Sequence, residues 1–145
     1  AYGAREYLVD LPYVDASSIS VLGLSHGGMT ILELIKEKPF ASSGLRPFNA
    51  AVAFYPLCGT PEPIRTPTLI LIGSADTWTP SIQCEQYAAG MEGPVPVDLV
   101  VYDDAHHLFD YPDIDTEELG KTLRTHPEAS RQSRQTARAF LAQHN

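Results

Sequence analysis

The sequence is poor in basic residues and contains no segment typical of insertion into a membrane. It has ten lysines and arginines against eighteen aspartates and glutamates, which gives a formal net charge of −8. The basic residues are scattered, except for Arg131, Arg134 and Arg138 near the end. A nucleic-acid-binding protein needs a concentrated basic face, so we expect no nucleic-acid partner. No apolar run approaches the length of a bilayer span, and no basic-then-apolar signal segment opens the chain. We therefore expect a soluble protein with no membrane partner.

Cysteine is also scarce, and its two copies do not form a metal-type cluster. Cys58 and Cys84 each fall in a loop after a predicted strand. They are either two free thiols or one disulfide, because the sequence does not give the Cα separation that a bridge requires. The neighbours His106 and His107 lack further ligands at the spacing of a structural zinc site. We expect no metal and no other cofactor.

The length and the apolar content predict one folded domain, spanning residues 1–145. Hydrophobic residues make up 43% of the chain and charged residues 19%. These values are typical of an ordinary globular protein, and the length suffices for one core but not for two.

Short apolar runs alternate with longer segments that predict helices. Runs at 19–24, 50–55 and 68–72 predict strands buried on both faces, hence a parallel sheet, and an alternating run at 97–102 predicts a fourth strand. Helices are predicted at 1–11, at 27–38 before Pro39, from Pro80 to Gly90 with Thr79 as N-cap, and from Pro127 onwards. This order predicts an α/β layer fold.

A G-x-S-x-G motif follows the first predicted strand and opens a predicted helix. The segment Gly23-Leu24-Ser25-His26-Gly27 is typical of a nucleophile elbow, in which the serine lies on a sharp, strained turn. We expect Gly23 and Gly27 to leave room for that turn. The Ser25 hydroxyl then lies at the positive end of the helix dipole, and the N–H of His26 faces a developing oxyanion.

An acid and a histidine follow in the chain order that a Ser–acid–His triad requires. Asp76 comes directly after the third strand, and His106 and His107 lie in the loop after the fourth. Taken alone, Asp76 is more typical of a turn or a helix cap, and either histidine is more typical of a solvated loop. Because the carboxyl ends of parallel strands meet at one sheet edge, the three side chains can converge there.

These motifs resemble those of the dienelactone hydrolase family of the α/β-hydrolases. The stretches that carry the resemblance are LPYVD, VLGLSHGGMT, AVAFYPLCG, PTLILIGSADTWTP, VVYDDAHHLFD and ARAFLAQHN. The resemblance implies a nucleophile at Ser25 and an acid at Asp76 within G-x-x-D. It implies a base at His107, two residues before the phenylalanine of H-x-F, with His106 at a variable position.

The chain departs from that family by lacking the front half that precedes the elbow. That half supplies several strands and the second oxyanion donor, whose loss typically costs about 10²–10³ in rate. We therefore expect a truncated, minimal α/β-hydrolase fold, with a short, mostly parallel sheet of about four strands and flanking helices. The strand at 19–24 becomes an open sheet edge, and we expect a homo-oligomer that covers it. The competing hypothesis is a piece of a longer chain.

The resulting hypothesis is a serine esterase that cleaves small, short-acyl esters or lactones through an acyl-enzyme. Activity should fall as the pH drops through the ordinary range of histidine protonation. Tyr55 and Trp78 are candidate pocket residues, and the acidic stretch 110–118 either folds over the site or forms a solvated loop. Two alternatives remain open: an inert oligomerising or binding domain, and a fragment of a larger hydrolase.

Overall fold

The computed structural model describes residues 1–38 and 44–145 and contains the predicted alternation of strands and helices. The elements in chain order are α1 (Tyr2–Val9), β1 (Val21–Leu24), α2 (His26–Leu34), β2 (Ala51–Phe54), β3 (Thr68–Gly73), α3 (Ser81–Ala89), β4 (Val97–Tyr102), β5 (Asp115–Glu118), β6 (Lys121–Arg124) and α4 (Pro127–His144).

The first four strands form the predicted parallel sheet. Their spatial order is β1-β2-β3-β4, and each neighbouring pair runs parallel. Every residue of β2 and β3 is buried, as their continuous apolar sequences predict. Because βαβ crossovers are right-handed, α2 and α3 lie on the same face of this sheet. The predicted α/β fold is confirmed.

Helix α2 is shorter than predicted. It ends at Leu34 rather than at Lys38. The chain leaves the helix because the carbonyl of Ile35 accepts a hydrogen bond from the N–H of Arg65, and Lys36 forms a β-bridge with Ile64. Pro39, which was expected to end the helix, lies outside the described residues.

The region around α3 differs from the prediction in two ways. The N-cap is Pro80 instead of Thr79, so the helix begins at Ser81. Cys84 lies within this helix rather than in a loop, and it forms a disulfide with Cys58. The bridge ties the segment after β2 to α3.

The acidic stretch after the histidine loop is not a simple loop. Its second half forms β5, which pairs antiparallel with β6. The connecting residues Leu119 and Gly120 both have positive φ, of 52° and 72°. This conformation is that of a type I′ turn, which matches the twist of a two-residue hairpin.

Strand β1 lies at one edge of the sheet, as predicted. The missing Cβ of Gly23 faces α2, so its neighbours Leu22 and Leu24 point to the opposite face. They are 50% and 46% exposed. Helix α4 packs against β3. None of the helices in the described ranges is long and apolar enough to cross a bilayer.

Candidate active site

Ser25 lies on a strained turn between β1 and α2. Its φ is 51° and its ψ is −117°, a conformation that costs a non-glycine residue about 1–3 kcal/mol. The turn is held in place because the N–H of Ser25 donates to the carbonyl of Phe54 at 2.9 Å. As the first residue of α2, His26 has an N–H with no acceptor inside the helix.

The two glycines of the motif have different roles. A Cβ on Gly23 would lie 2.5 Å from both the carbonyl carbon and the carbonyl oxygen of Gly27, so the tight turn excludes any side chain there. A Cβ on Gly27 would meet nothing within 4 Å. The expectation that both glycines leave space therefore holds for Gly23 and is wrong for Gly27.

The carboxylate of Asp76 is buried and fully hydrogen-bonded. Its Oδ1 accepts from the N–H groups of Trp78 and Thr79, at 2.8 and 2.9 Å. Its Oδ2 lies 2.7 Å from Nδ1 of His107 and 2.9 Å from Oγ1 of Thr79. These contacts satisfy the charge of a side chain that would otherwise be costly to bury.

His107 connects the buried acid to the serine. Its Nε2 lies 2.9 Å from Oγ of Ser25, while Nδ1 lies on Asp76. When Nδ1 carries the proton and donates to Asp76, Nε2 is free to accept from the serine hydroxyl. The neighbouring His106 takes no part in this series of hydrogen bonds. Its Nδ1 is buried without a hydrogen-bond partner among the described residues.

The loop that carries Asp76 and the loop that carries His107 are joined through their backbones. The N–H of Ser74 donates to the carbonyl of Tyr102 at 2.8 Å, and that of Ala75 donates to the carbonyl of Ala105 at 3.0 Å. The strands β3 and β4 before these loops are in register over six residue pairs. Asp76 and His107 are therefore positioned by loops that share backbone hydrogen bonds.

Tyr55 lies beneath the imidazole and not on the wall of the cavity beside Ser25. Its ring centroid is 4.7 Å from that of His107, in an edge-on arrangement, and the residue is 2% exposed. Its hydroxyl donates to Oδ1 of Asp110 at 2.7 Å. The pKa of Tyr55 is raised well above its usual range, mainly by burial. The hydrogen bond to Asp110 and the charges of Asp110 and Asp76 raise this pKa further.

Trp78 does line that cavity. Its ring lies 6.0 Å from the imidazole of His107 at 27°, in a stacked arrangement. The cavity has a volume of about 190 Å³, and its lining residues are Ser25, Trp78, His107, Leu108, Glu118 and Leu123.

Two parts of this site carry no clear signal in the sequence. Thr79 was assigned to a helix cap, but its hydroxyl contacts Asp76 and lies 3.2 Å from Nδ1 of His107. The β5–β6 hairpin supplies Glu118 and Leu123 to the cavity and sets the ammonium of Lys121 5.1 Å from the Trp78 ring centre. Gly120 is the residue in the sequence that indicates this hairpin turn, although a leucine before the glycine is unusual in a type I′ turn.

No group of three or more histidine, cysteine, aspartate or glutamate side chains is arranged to hold a metal ion in the parts of the chain that the structure describes.

Comparisons with known proteins agree with this architecture. The sequence model of the dienelactone hydrolase family matches residues 2–145, and no curated protein matches. One similar solved structure is a putative dienelactone hydrolase from Klebsiella pneumoniae subsp. pneumoniae MGH 78578, with 23% identity and a TM-score of 0.65 over 89% of this chain and 53% of that one. A second is the dienelactone hydrolase-like promiscuous phosphotriesterase P91 from metagenomic libraries, with 21% identity and a TM-score of 0.73 over 97% of this chain and 58% of that one. A third is esterase Est2 from Thermogutta terrifontis, with 18% identity and a TM-score of 0.70 over 98% of this chain and 61% of that one.

This chain thus spans little more than half of each of those structures, whose likeness establishes the fold. The family match over nearly all of its length establishes membership. The chain belongs to the dienelactone hydrolase family.

Proposed function

We propose that this chain is a serine hydrolase that cleaves small, short-acyl esters or lactones through an acyl-enzyme on Ser25. The observation that supports this most is the continuous chain of hydrogen bonds from Ser25 to His107 to Asp76, at 2.9 and 2.7 Å. A serine hydroxyl is a weak nucleophile alone and becomes effective when an oriented base takes its proton.

The reaction proceeds in two stages. Nε2 of His107 takes the Ser25 proton as Oγ attacks the ester carbonyl, and the N–H of His26 donates to the tetrahedral oxyanion. His107 then gives that proton to the leaving alkoxide, which departs as the alcohol. In the second stage His107 takes a proton from water, the hydroxide attacks the acyl carbon, and Ser25 leaves with the proton returned by His107. Asp76 stabilises the imidazolium in both stages.

The small size of the cavity supports a short acyl group. Its volume of about 190 Å³ lies below the roughly 300–1,000 Å³ of typical small-molecule pockets. The Thermogutta terrifontis esterase has been determined with propionate and with butyrate bound, and also phosphorylated by paraoxon. These relatives support short acyl esters as substrates and organophosphorus compounds as probes for this chain.

The test is the intact mass of the protein after exposure to a fluorophosphonate. We expect one adduct on the native chain and none on Ser25→Ala. The matched pair His107→Ala and His106→Ala separates the two histidines: the first should abolish labelling and the second should leave it. Equal labelling of the native chain and Ser25→Ala would reject the proposal.

Trp78→Ala tests the assignment of the acyl pocket. Loss of the indole enlarges the cavity, so preference should shift from acetyl and propionyl esters towards longer ones. An unchanged acyl-chain preference would remove Trp78 from the pocket.

The alternative is an inert domain or a fragment that needs a second chain. This alternative is favoured because the chain covers only 53% to 61% of the length of the three structures compared above. Folded protein that takes up no adduct, but becomes labelled on addition of a family member's front half, would establish this alternative.

We also propose that the chain self-associates over strand β1. The half-exposed side chains of Leu22 and Leu24 on an edge strand support this, since such edges are usually covered. Light scattering at micromolar concentration should give a mass above that of the 15.9 kDa monomer. Leu22→Lys should lower that mass, while Leu119→Lys, at the exposed hairpin tip, should not. A monomeric native protein would contradict this proposal.

A further inference from the structure

A second cavity, apart from the one beside Ser25, has a basic wall. It has a volume of about 530 Å³ and lies between α4 and the segments around Asp110 and Thr125. Its lining residues include Arg131, Arg134 and Arg138, and it shares no lining residue with the cavity beside Ser25. Spacings of three and four residues place these arginines on one face of α4. We call this cavity the arginine groove.

The guanidinium groups in the groove are only partly neutralised. Arg138 is exposed and has no hydrogen bond or ion pair with the described residues, and Arg134 donates to the backbone carbonyl of Asp110 at 3.1 Å. Among the described residues, Arg131 is the one groove arginine with a carboxylate partner, Glu128. The carboxylate of Asp110 accepts from the buried phenol of Tyr55. The groove therefore keeps an excess of positive charge.

This concentration of charge contrasts with the rest of the molecule. The chain has ten lysines and arginines and a formal net charge of −8, yet three of the ten line this one groove. Charges separated by more than about 8 Å are largely screened at physiological ionic strength. A short anion inside the groove therefore feels the arginines, whereas a long polyanion extends over acidic surface.

We infer that the arginine groove binds a small polyanion, a molecule with two or more carboxylate or phosphate groups. At a rise of about 1.5 Å per residue, Arg134 and Arg138 stand about 6 Å apart along the helix, and Arg131 and Arg138 about 10 Å. The planar guanidinium fork bonds both carboxylates and phosphates through paired N–H groups. A ligand whose anionic groups are about 5–10 Å apart can therefore engage two arginines at once.

The test is isothermal titration of the whole chain with citrate and, separately, with tripolyphosphate at physiological ionic strength. Arg138→Ala removes a guanidinium that has no hydrogen bond or ion pair with the described residues, so the variant should fold as the native chain does. The matched control is Arg46→Ala, which removes one exposed arginine that lies outside the groove and has no partner among the described residues. Thermal melting of all three proteins verifies folding.

We expect at least one probe to bind the native chain, and the tighter of the two identifies whether the site prefers carboxylate or phosphate. Arg138→Ala should weaken that binding about tenfold, equivalent to about 1.4 kcal/mol, and Arg46→Ala less than about twofold. No binding of either probe up to about 10 mM, a Kd corresponding to only about −2.7 kcal/mol, would overturn the inference. Equal weakening by both variants would also overturn it, since that result indicates attraction to net charge alone.

Discussion

The phenol of Tyr55 donates a 2.7 Å hydrogen bond to Oδ1 of Asp110. Asp110 lies three residues after His107, whose imidazole contacts the ring of the same tyrosine. The backbone carbonyl oxygen of Tyr55 lies 3.1 Å from the hydroxyl oxygen of Thr79. Tyr55 thus joins the end of β2 to the loop that carries Asp76 and to the loop that carries His107. Its position at the centre of these contacts predicts a structural role with a distinctive pH dependence.

We predict that Tyr55→Phe lowers the free energy of unfolding at pH 7 by about 1–3 kcal/mol, because the partly buried carboxylate of Asp110 loses a charge-assisted hydrogen bond. The pKa of Tyr55 is raised in the folded state above the value of about 10 in an unfolded chain. Its contribution is therefore complete below pH 10 and is lost as the pH rises further, by up to about 1.4 kcal/mol per pH unit. Urea unfolding between pH 7 and 11 should show the native protein and Tyr55→Phe converging.

Tyr87→Phe is the control for the effect on stability at pH 7. The Tyr87 hydroxyl is buried without a hydrogen-bond partner among the described residues, so its removal should cost little at pH 7. Parallel loss of stability in the native protein and Tyr55→Phe above pH 10 would contradict the assignment.

Thr79→Val should slow turnover while leaving substrate binding nearly unchanged. The hydroxyl of Thr79 contacts both Oδ2 of Asp76 and Nδ1 of His107, so it orients the pair without reaching the cavity. Loss of one such hydrogen bond, at about 1 kcal/mol, predicts a decrease in kcat of about fivefold. Ester hydrolysis kinetics test this, with Thr79→Ser expected to retain kcat. An increase in KM at constant kcat would assign Thr79 to substrate binding instead.

Gly23→Ala and Gly27→Ala should differ sharply in stability. The first places a methyl group 2.5 Å from the backbone of Gly27, and overpacking of this kind costs about 3 kcal/mol or more. The second places a methyl group in open space on α2, where alanine is favoured by no more than about 1 kcal/mol. Thermal melts of the two variants provide the comparison. Equal destabilisation would mean that the turn is wider than the structure shows.

The contrast between these glycines illustrates how far the sequence predicts this site. A motif specifies residue types along the chain, so it identified the strand, the turn and the helix around Ser25. A motif cannot specify which of its two glycines lies in close contact with the backbone of another part of the turn. The same reason explains Thr79, whose place before a proline indicates a helix cap, while its contact with His107 depends on two loops meeting.

The parallel sheet was predictable because β2 and β3 are continuous apolar runs, a local signal of burial on both faces. The hairpin was not, because all four residues of β5 are exposed and polar and carry no periodic apolar signal. Its stability depends on Leu123, which is buried against the rest of the site. Such long-range packing is absent from any single segment of sequence.

The disulfide between Cys58 and Cys84 should contribute about 3–4 kcal/mol to the free energy of unfolding, since it closes a loop with a sequence separation of 26. The double variant Cys58→Ser/Cys84→Ser should therefore unfold at lower urea concentration than the native protein. A reducing agent should destabilise the native protein and leave the double variant unaffected. Equal stability of the native protein before and after reduction would show that the bridge does not contribute.

Ser25→Gly and Ser25→Ala both remove the candidate nucleophile, but they should differ in stability. At φ 51° and ψ −117° a Cβ strains the backbone, whereas glycine adopts such angles readily. Glycine also increases the entropy of the unfolded chain, and this offsets the relief of backbone strain by up to about 1 kcal/mol. Because the strain costs about 1–3 kcal/mol, we expect Ser25→Gly to be the more stable variant by about 1 kcal/mol. Urea unfolding of the two inactive proteins measures the difference without interference from catalysis. A more stable Ser25→Ala would show that the turn relaxes when the hydroxyl is absent, and that the hydrogen bond to His107 helps to hold Ser25 in its strained conformation.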